Sequence, residues 1–226
     1  SDNYGYNGKI LWVDLTKEEI KEEEPDIEIY KKYLGGYGLG VYYIYTRIKP
    51  KCDPLGPDNI IGFCPGLLTG STAPFSGRYM VCGKSPLTGG WGDSNSGGNF
   101  GNAIKRSGYD AIFITGIAKE PVYLHIGEKG NELIDASELW GKDVVETENI
   151  LKKKYGKCDS ATIGSGGENK CLIAGIVNDS ARIAARSGLG AVMGSKKLKT
   201  ICITNKKKLK IADRKLMVEL SKEYNK

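Results

Sequence analysis

No two of the six cysteines, at 52, 64, 82, 158, 171 and 202, stand in a C-x-x-C pair. That spacing excludes a dense disulfide framework and a zinc or iron–sulfur site complete within the chain, and it leaves the cysteines as small core hydrophobes. No apolar run approaches the roughly 18 residues needed to span a bilayer. The start, Ser1-Asp2-Asn3-Tyr4-Gly5-Tyr6-Asn7, has neither the basic end nor the apolar stretch of a signal peptide. A cytoplasmic protein with no membrane partner is the expectation. Histidine occurs once, and alternation sets His125 opposite Leu124 in the strand-like residues 122–126, which reads as an exposed strand position rather than a catalyst. Arginine is scarce: six of 33 basic residues, at 47, 78, 106, 182, 186 and 214. The lysines at 152–154 and 206–208 read as solvated faces. No basic stripe carries stacking aromatics, so no nucleic-acid partner is expected.

What is present suffices for a soluble domain. At 226 residues, 40% hydrophobic and 27% charged, the chain can bury a core as one large domain or two small ones. Where lysine is the default cation, an arginine is there for a reason. Arg78, Arg182 and Arg186 fall in glycine-rich stretches rather than on charged faces. Guanidinium forks suit phosphate and planar heterocycles. Residues 93–101 (DSNSGGNFG) lie between a strand-like run at 78–83 and a helix-like run at 100–107 stopped by Gly108, and 178–190 (NDSARIAARSGLG) form a second such stretch. Adjacent glycines let a ligand approach the main chain, and a helix start offers unpaired N–H groups to an anion. The plain alternative is a polar loop ending in a helix cap.

Periodicity predicts strands at 9–15, 59–63, 78–83, 111–115, 122–126, 161–164, 172–177 and 200–204, with a weak return strand at 20–24. Helices are expected at 26–34, 41–48, 137–140 and 143–155, the last between Asp143 and Gly156 as caps. The glycines of 35–40 interrupt the first two and fit no G-x-G-x-x-G register. Residues 188–194 read as a turn into a compact strand, and 212–224 as a helix with nothing to pack on, as if one domain had been cut from a longer polypeptide. An internal repeat is suggested by matching 77–83 with 188–194, Ile61-Gly62 with Ile163-Gly164, and 110–114 with 198–203. It predicts two related β-rich units whose polar loops meet at a pseudo-two-fold axis.

The ordered set Leu34-Gly35-Gly36-Tyr37-Gly38-Leu39-Gly40, Ser71-Thr72-Ala73-Pro74, Gly77-Arg78-Tyr79, Lys84-Ser85-Pro86-Leu87-Thr88-Gly89, Asn95-Ser96-Gly97-Gly98, Gly108-Tyr109-Asp110-Ala111, Asn178-Asp179 and Gly190-Ala191-Val192-Met193-Gly194 resembles the N-terminal domain of the tungsten-dependent aldehyde ferredoxin oxidoreductase family. The resemblance implies an α+β fold, a β-rich base of two intertwined similar halves. Residues 1–210 would be the tungstopterin-binding domain and 211–226 the start of a helix leading to a following domain. It implies a tungsten bis-molybdopterin cofactor contacted by Arg78, Asn95, Ser96, Gly97, Gly98, Arg182, Ile183, Ala184 and Arg186. It also implies Mg2+ between the pterin phosphates, on the backbone carbonyls of Asn95 and Ile183. Aldehyde as substrate, ferredoxin as acceptor, the remaining domains of the same polypeptide as partners and room for a homodimer follow from it. The [4Fe-4S] cluster and the acid/base residues would lie in later helical domains. Tyr37 stands where the family commonly has arginine, and Ile183 where alanine is usual. A non-catalytic module holding a phosphorylated heterocycle stays open as the second reading.

Overall fold

A computed structural model describes residues 4–225; Ser1 to Asn3 of the expected span 1–210 and Lys226 of 211–226 lie outside the described residues. The first half forms one six-stranded sheet from β1 (Ile10–Asp14), β2 (Glu19–Glu23), β3 (Ile61–Pro65), β4 (Tyr79–Lys84), β5 (Trp91–Ser96) and β6 (Ala111–Thr115), in the order β2-β1-β6-β3-β4-β5. The second half forms another from β7 (Val122–Ile126), β8 (Asn131–Asp135), β9 (Asp159–Thr162), β10 (Ile176–Asn178), β11 (Arg182–Ala184) and β12 (Leu198–Ile203), in the order β8-β7-β12-β9-β10-β11. The two orders are the same sequence displaced by six strands. In each sheet the first and sixth strands, β1 with β6 and β7 with β12, are the parallel pair.

Helices repeat the plan. α1 (Ile27–Tyr33) and α2 (Tyr37–Arg47) follow the second strand of the first half, and α4 (Val144–Tyr155) follows the second strand of the second. Between the fifth and sixth strands run α3 (Phe100–Ser107) and α6 (Leu189–Ser195); α5 (Ser165–Glu168) is a single turn after β9, and α7 (Arg214–Tyr224) follows the second sheet. Asp26 and Asp143 cap α1 and α4, accepting from the Glu28 and Glu146 amides, and left-handed Gly108 ends α3.

Strand alternation divides the buried side chains between two faces. Leu11, Val13, Ile112 and Ile114 join Leu124, Ala161, Ile201 and Ile203 in one core shared by both sheets with α3 and α6. Ile10, Ala111 and Phe113 point the other way, under α1 and α2, while Tyr123, Cys158 and Cys202 meet α4 and the 136–139 turn. The halves interlock because α3 touches β9 and β12 of the second half, and α6 touches β3, β4 and β5 of the first.

Several expectations change. Residues 188–194 are helix α6, not a compact strand: Leu189, Val192 and Met193 have helical spacing, but complete burial hides any polar face. Its glycines serve close approach, since a Cβ at Gly194 would stand 1.8 Å from the Gly167 carbonyl oxygen. The proposed match of 77–83 with 188–194 therefore pairs a strand with a helix. The counterpart of β4 is β10, and that of α6 is α3; only the match of 110–114 with 198–203 joins equivalent strands, β6 and β12. Glycines 38 and 40 do not interrupt a helix but lie inside α2; a Cβ at Gly38 would meet the Tyr33 carbonyl oxygen at 1.9 Å. Residues 137–140 form a turn, in which Asp135 accepts from the Ser137 amide and hydroxyl. His125 is buried, because β7 is an interior strand roofed by α4: the ring stacks on Tyr155 at 4.4 Å and bonds Glu132 and Thr204. Helix α7 does find a surface, for Leu216, Met217 and Leu220 line a cavity of about 310 Å³ with Leu67, Leu68 and Leu209. Among the described residues no helix is long and apolar enough to cross a membrane.

Candidate functional site

The outermost strand on one side of each sheet is its fifth, β5 or β11, and these two edges meet. The Ser187 hydroxyl donates to the Asp93 carbonyl at 2.8 Å and accepts from the Asp93 amide at 3.2 Å; the Arg186 amide donates to Ser94 Oγ at 3.1 Å. Ser85, in the turn after β4, donates to the Ser187 carbonyl at 2.9 Å. At the other end the relation is reciprocal. The turn after β10 supplies Asp179, which accepts from the Asn99 amide at 2.6 Å, and Asn178, whose Nδ2 donates to the Gly97 carbonyl at 2.9 Å. Each edge strand thus ends on the hairpin turn of the other half. The two polar stretches singled out from the sequence lie side by side, though not as loops. Residues 93–96 belong to β5, and the second stretch contains the β10–β11 hairpin. Serine, asparagine and aspartate are poor strand formers, and only their place at a sheet edge makes them strand.

Around Gly97 the charges converge. Arg78, just before β4, donates from Nε to Asn95 Oδ1 at 2.7 Å and from Nη2 to the Asn95 carbonyl at 3.3 Å. Asn95 Nδ2 in turn donates to the Tyr37 hydroxyl at 3.0 Å, so the first residue of α2 touches the residue that Arg78 grips. A Cβ at Gly97 would stand 3.5 Å from Arg78 Nη1 and 3.6 Å from Arg182 Nη1, which puts one guanidinium from each half beside the same point. Gly98 has φ +90°, and among the described residues the Gly97 and Gly98 amides have no backbone acceptor. Successive free N–H groups at such a bend form an anion-binding concavity. Among the described residues Arg47 has a carboxylate partner, Glu23 at 2.7 Å, whereas Arg78, Arg182 and Arg186 have none within ion-pair distance. At the helix start Asp179 holds the Asn99 amide, while among the described residues no acceptor is shown for the Phe100, Gly101 and Asn102 amides.

The other candidates divide by what they expose. Ile183 is half exposed and is the penultimate residue of β11, as Asn95 is of β5, so their carbonyls occupy equivalent places on the two edges. Arg186 is exposed beside the contact of its amide with Ser94. Ser96 is buried and spends its hydroxyl on Asn178 Oδ1 at 2.8 Å, and the Ala184 methyl lies in the core, leaving only main chain to offer. Three residues were not singled out from the sequence as site residues: Asn178, Asp179 and Tyr79. Tyr79 donates to Asn178 Oδ1 at 3.0 Å, and burial, reinforced by the Asp179 charge, pushes its phenol up, so it remains a neutral donor. Asn178 opens the second polar stretch and precedes Asp179 in the resemblance, but nothing local marks its role; its partners in the first half lie 81 to 99 positions away.

The arrangement can hold a doubly charged phosphate by two guanidinium forks and main-chain N–H groups, with backbone carbonyls nearby for a hard cation. The N-terminal domain of aldehyde ferredoxin oxidoreductase matches residues 10–205. The tungsten-containing aldehyde ferredoxin oxidoreductase of Pyrococcus abyssi is 48% identical over 97% of this chain and 37% of its own length. The aliphatic sulfonate oxidoreductase WOR-like subunit of Pyrococcus furiosus is 37% identical over 96% of this chain. Among solved structures, the active-site complex BamBC of benzoyl coenzyme A reductase with 1,5-dienoyl-CoA superimposes with a TM-score of 0.93 and 36% identity, covering 97% of this chain and 34% of that one. The chain therefore spans little more than a third of the length of these curated relatives. By the extent of the match and the identity with its relatives, this chain belongs to the aldehyde ferredoxin oxidoreductase family, as that family's N-terminal domain.

Proposed function

We propose that this chain is the base on which an oxidoreductase holds a tungsten bis-molybdopterin cofactor by its phosphates. The observation that carries the reading is the convergence of Arg78 and Arg182, one from each half and neither paired with a carboxylate, on the unbonded amides at Gly97 and Gly98. Arg78, Arg182 and Arg186 would supply charge, the main chain of residues 95–98 and of Ile183 and Ala184 would supply shape, and the backbone carbonyls of Asn95 and Ile183 would be the oxygen ligands for Mg2+. When bound, the tungsten–pterin group takes two electrons as an aldehyde and water become a carboxylate. The protein's task here is to bind and orient. Asp179 and Ser187 are tied to neighbouring main chain and Asn95 takes only the Nε and Nη2 side of Arg78, so the remaining exposed faces of the three arginines are left for the phosphates.

The same reading assigns the electrons to ferredoxin through a [4Fe-4S] cluster held by further domains of a longer polypeptide. Among the described residues no three His, Cys, Asp or Glu side chains lie together. A cytoplasmic enzyme with room for a homodimer completes it. Residues 211–226 would then lead from the base into the next domain, and Leu216, Met217 and Leu220 of α7 line a cavity together with Leu67 and Leu68. The test is a titration with a phosphorylated pterin. The chain should bind it and release it to excess inorganic diphosphate, and should bind the dephosphorylated pterin at least about tenfold more weakly, the loss expected from one charge-assisted hydrogen bond. Equal binding of the two pterins refutes a phosphate-anchored base. Tight, stoichiometric cofactor uptake by this chain alone would favour the second reading, a carrier module.

A further inference from the structure

Asn178 is 1% exposed and has every polar atom of its carboxamide engaged. Oδ1 accepts from Tyr79 and Ser96, at 3.0 and 2.8 Å; Nδ2 donates to the Gly97 carbonyl at 2.9 Å and to Asp179 Oδ2 at 3.1 Å. Three of those four contacts cross from the second half to the first. The residue stands at the end of β10, paired with Arg182 of β11. A single side chain therefore connects the residue bearing one guanidinium to the glycine beside both. Gly98 needs this fixation. With φ +90° it lies in a region that glycine enters freely and leaves freely, so nothing in its own chemistry holds the bend. With no side chain at 97 or 98, the outside contacts shown for this stretch are Asn178 on the Gly97 carbonyl and Asp179 on the Asn99 amide.

We propose that Asn178 is a positioning residue for the anion cradle. By holding the Gly97 carbonyl, it keeps the Gly97 and Gly98 amides available to a phosphate group at a fixed distance from Arg78 and Arg182. It does not touch the phosphate. The inference rests on the phosphate reading above and adds to it a residue that shapes the site without contributing charge.

Asparagine is specific here. Aspartate at 178 keeps the one oxygen to which both Tyr79 and Ser96 donate but lacks the donor to Gly97 and sets a second carboxylate against Asp179. Alanine removes all four contacts. The probe is inorganic diphosphate, titrated calorimetrically into the 226-residue chain, with the Gly97 and Gly98 amide resonances followed in 15N spectra. Asn178→Asp and Asn178→Ala should each lower diphosphate affinity by roughly ten-fold or more, a loss of the size one hydrogen bond and its ordering effect confer. Both should broaden or shift those two amides in the absence of ligand. Asn205→Ala is the control: Asn205 is also buried and bonds the Ser107 carbonyl, so its loss lowers stability while leaving binding unchanged. Arg78→Lys should lower affinity without disturbing the free amides. Equal affinity in folded Asn178→Asp and wild type, or amides that keep their positions, overturns the positioning role alone. A wild-type chain that takes up no diphosphate overturns the phosphate reading and this proposal with it.

Discussion

Gly98→Ala and Gly97→Ala differ by one position and should fail in opposite ways. A Cβ at Gly98 would stand 1.9 Å from Asp179 Oδ2, 2.7 Å from Arg182 Cδ and 2.9 Å from Asn178 Nδ2, on a backbone with φ +90°. The left-handed conformation alone costs an alanine about 1–2 kcal/mol. The clash displaces Asp179, and losing its charged hydrogen bond to the Asn99 amide costs about 1.5–3 kcal/mol more. Gly98→Ala should therefore lower unfolding free energy by about 3–5 kcal/mol. At Gly97 the φ is not in the left-handed region, and the new methyl would meet only the two guanidiniums, at 3.5 and 3.6 Å, which is ordinary contact. That variant should fold within ~0.5 kcal/mol of wild type, as substitutions that disturb no packing do. Its methyl nevertheless occupies the space between Arg78 and Arg182, so diphosphate binding should fall to background. Urea titrations give the first quantity and calorimetry the second. A Gly98→Ala chain as stable as wild type, or a Gly97→Ala chain that binds diphosphate normally, would refute the geometry drawn around these two glycines.

Arg78→Lys keeps the charge but loses the fork that grips Asn95, so affinity for diphosphate should drop roughly 10- to 100-fold; the surface change Lys153→Ala should do nothing, and equal affinities would remove Arg78 from the site. Lys196 is fully buried, its ammonium bonded to the Gly116 carbonyl at 3.1 Å, and burial lowers its pKa to about 8. The unfolded chain then holds the extra proton above that value, so stability contributed at this position should rise from about pH 8 to about pH 10.5. Lys196→Met should flatten that rise, and an unchanged pH profile would show that the lysine is not desolvated. Asp110 pairs with buried Lys105 at 2.6 Å and accepts from the Asn7 and Gly8 amides; Asp110→Ala should destabilise by about 3–5 kcal/mol in chemical denaturation, because a buried ammonium loses its counter-charge and keeps only the Gly5 carbonyl as acceptor. The chain by itself should show no viologen-linked aldehyde oxidation, and turnover above buffer would place the whole reaction within these residues.

Elements whose signals are local were legible. Helix α4 carries its own caps, Asp143 and Gly156, and β6 is an unbroken apolar run. Elements defined by what they touch were not. Helix α6 is buried on every side, so its sequence lacks the polar face that marks a helix, and β5 is a strand only because it closes the edge of a sheet. Glycine spacing suggests the duplication, but those glycines serve different contacts in the two halves; of the short matches only 110–114 with 198–203 joins equivalent strands, and the full equivalence is in strand order. In the candidate site, arginine scarcity drew attention to Arg78 and Arg182, which the fold brings to one glycine. Asn178 was silent, since an asparagine before an aspartate is a common turn pair, and its importance comes from partners 81 or more positions away.

The meeting of β5 with the 185–187 segment also constrains the order in which the protein is made. The first sheet is complete in sequence at Thr115, yet the partner of its outer edge, reached through Arg186 and Ser187, is synthesised some seventy residues later. During that interval β5 is an open edge, the feature through which nascent sheets find one another. Its sequence, WGDSNS, suits the wait: short, polar and poor in β-formers, it offers little for a stray strand to zip onto. The polar edge that meets the second half in the finished protein thus protects the unfinished one, and Arg78 and Arg182 cannot come together beside Gly97 until the second half has arrived.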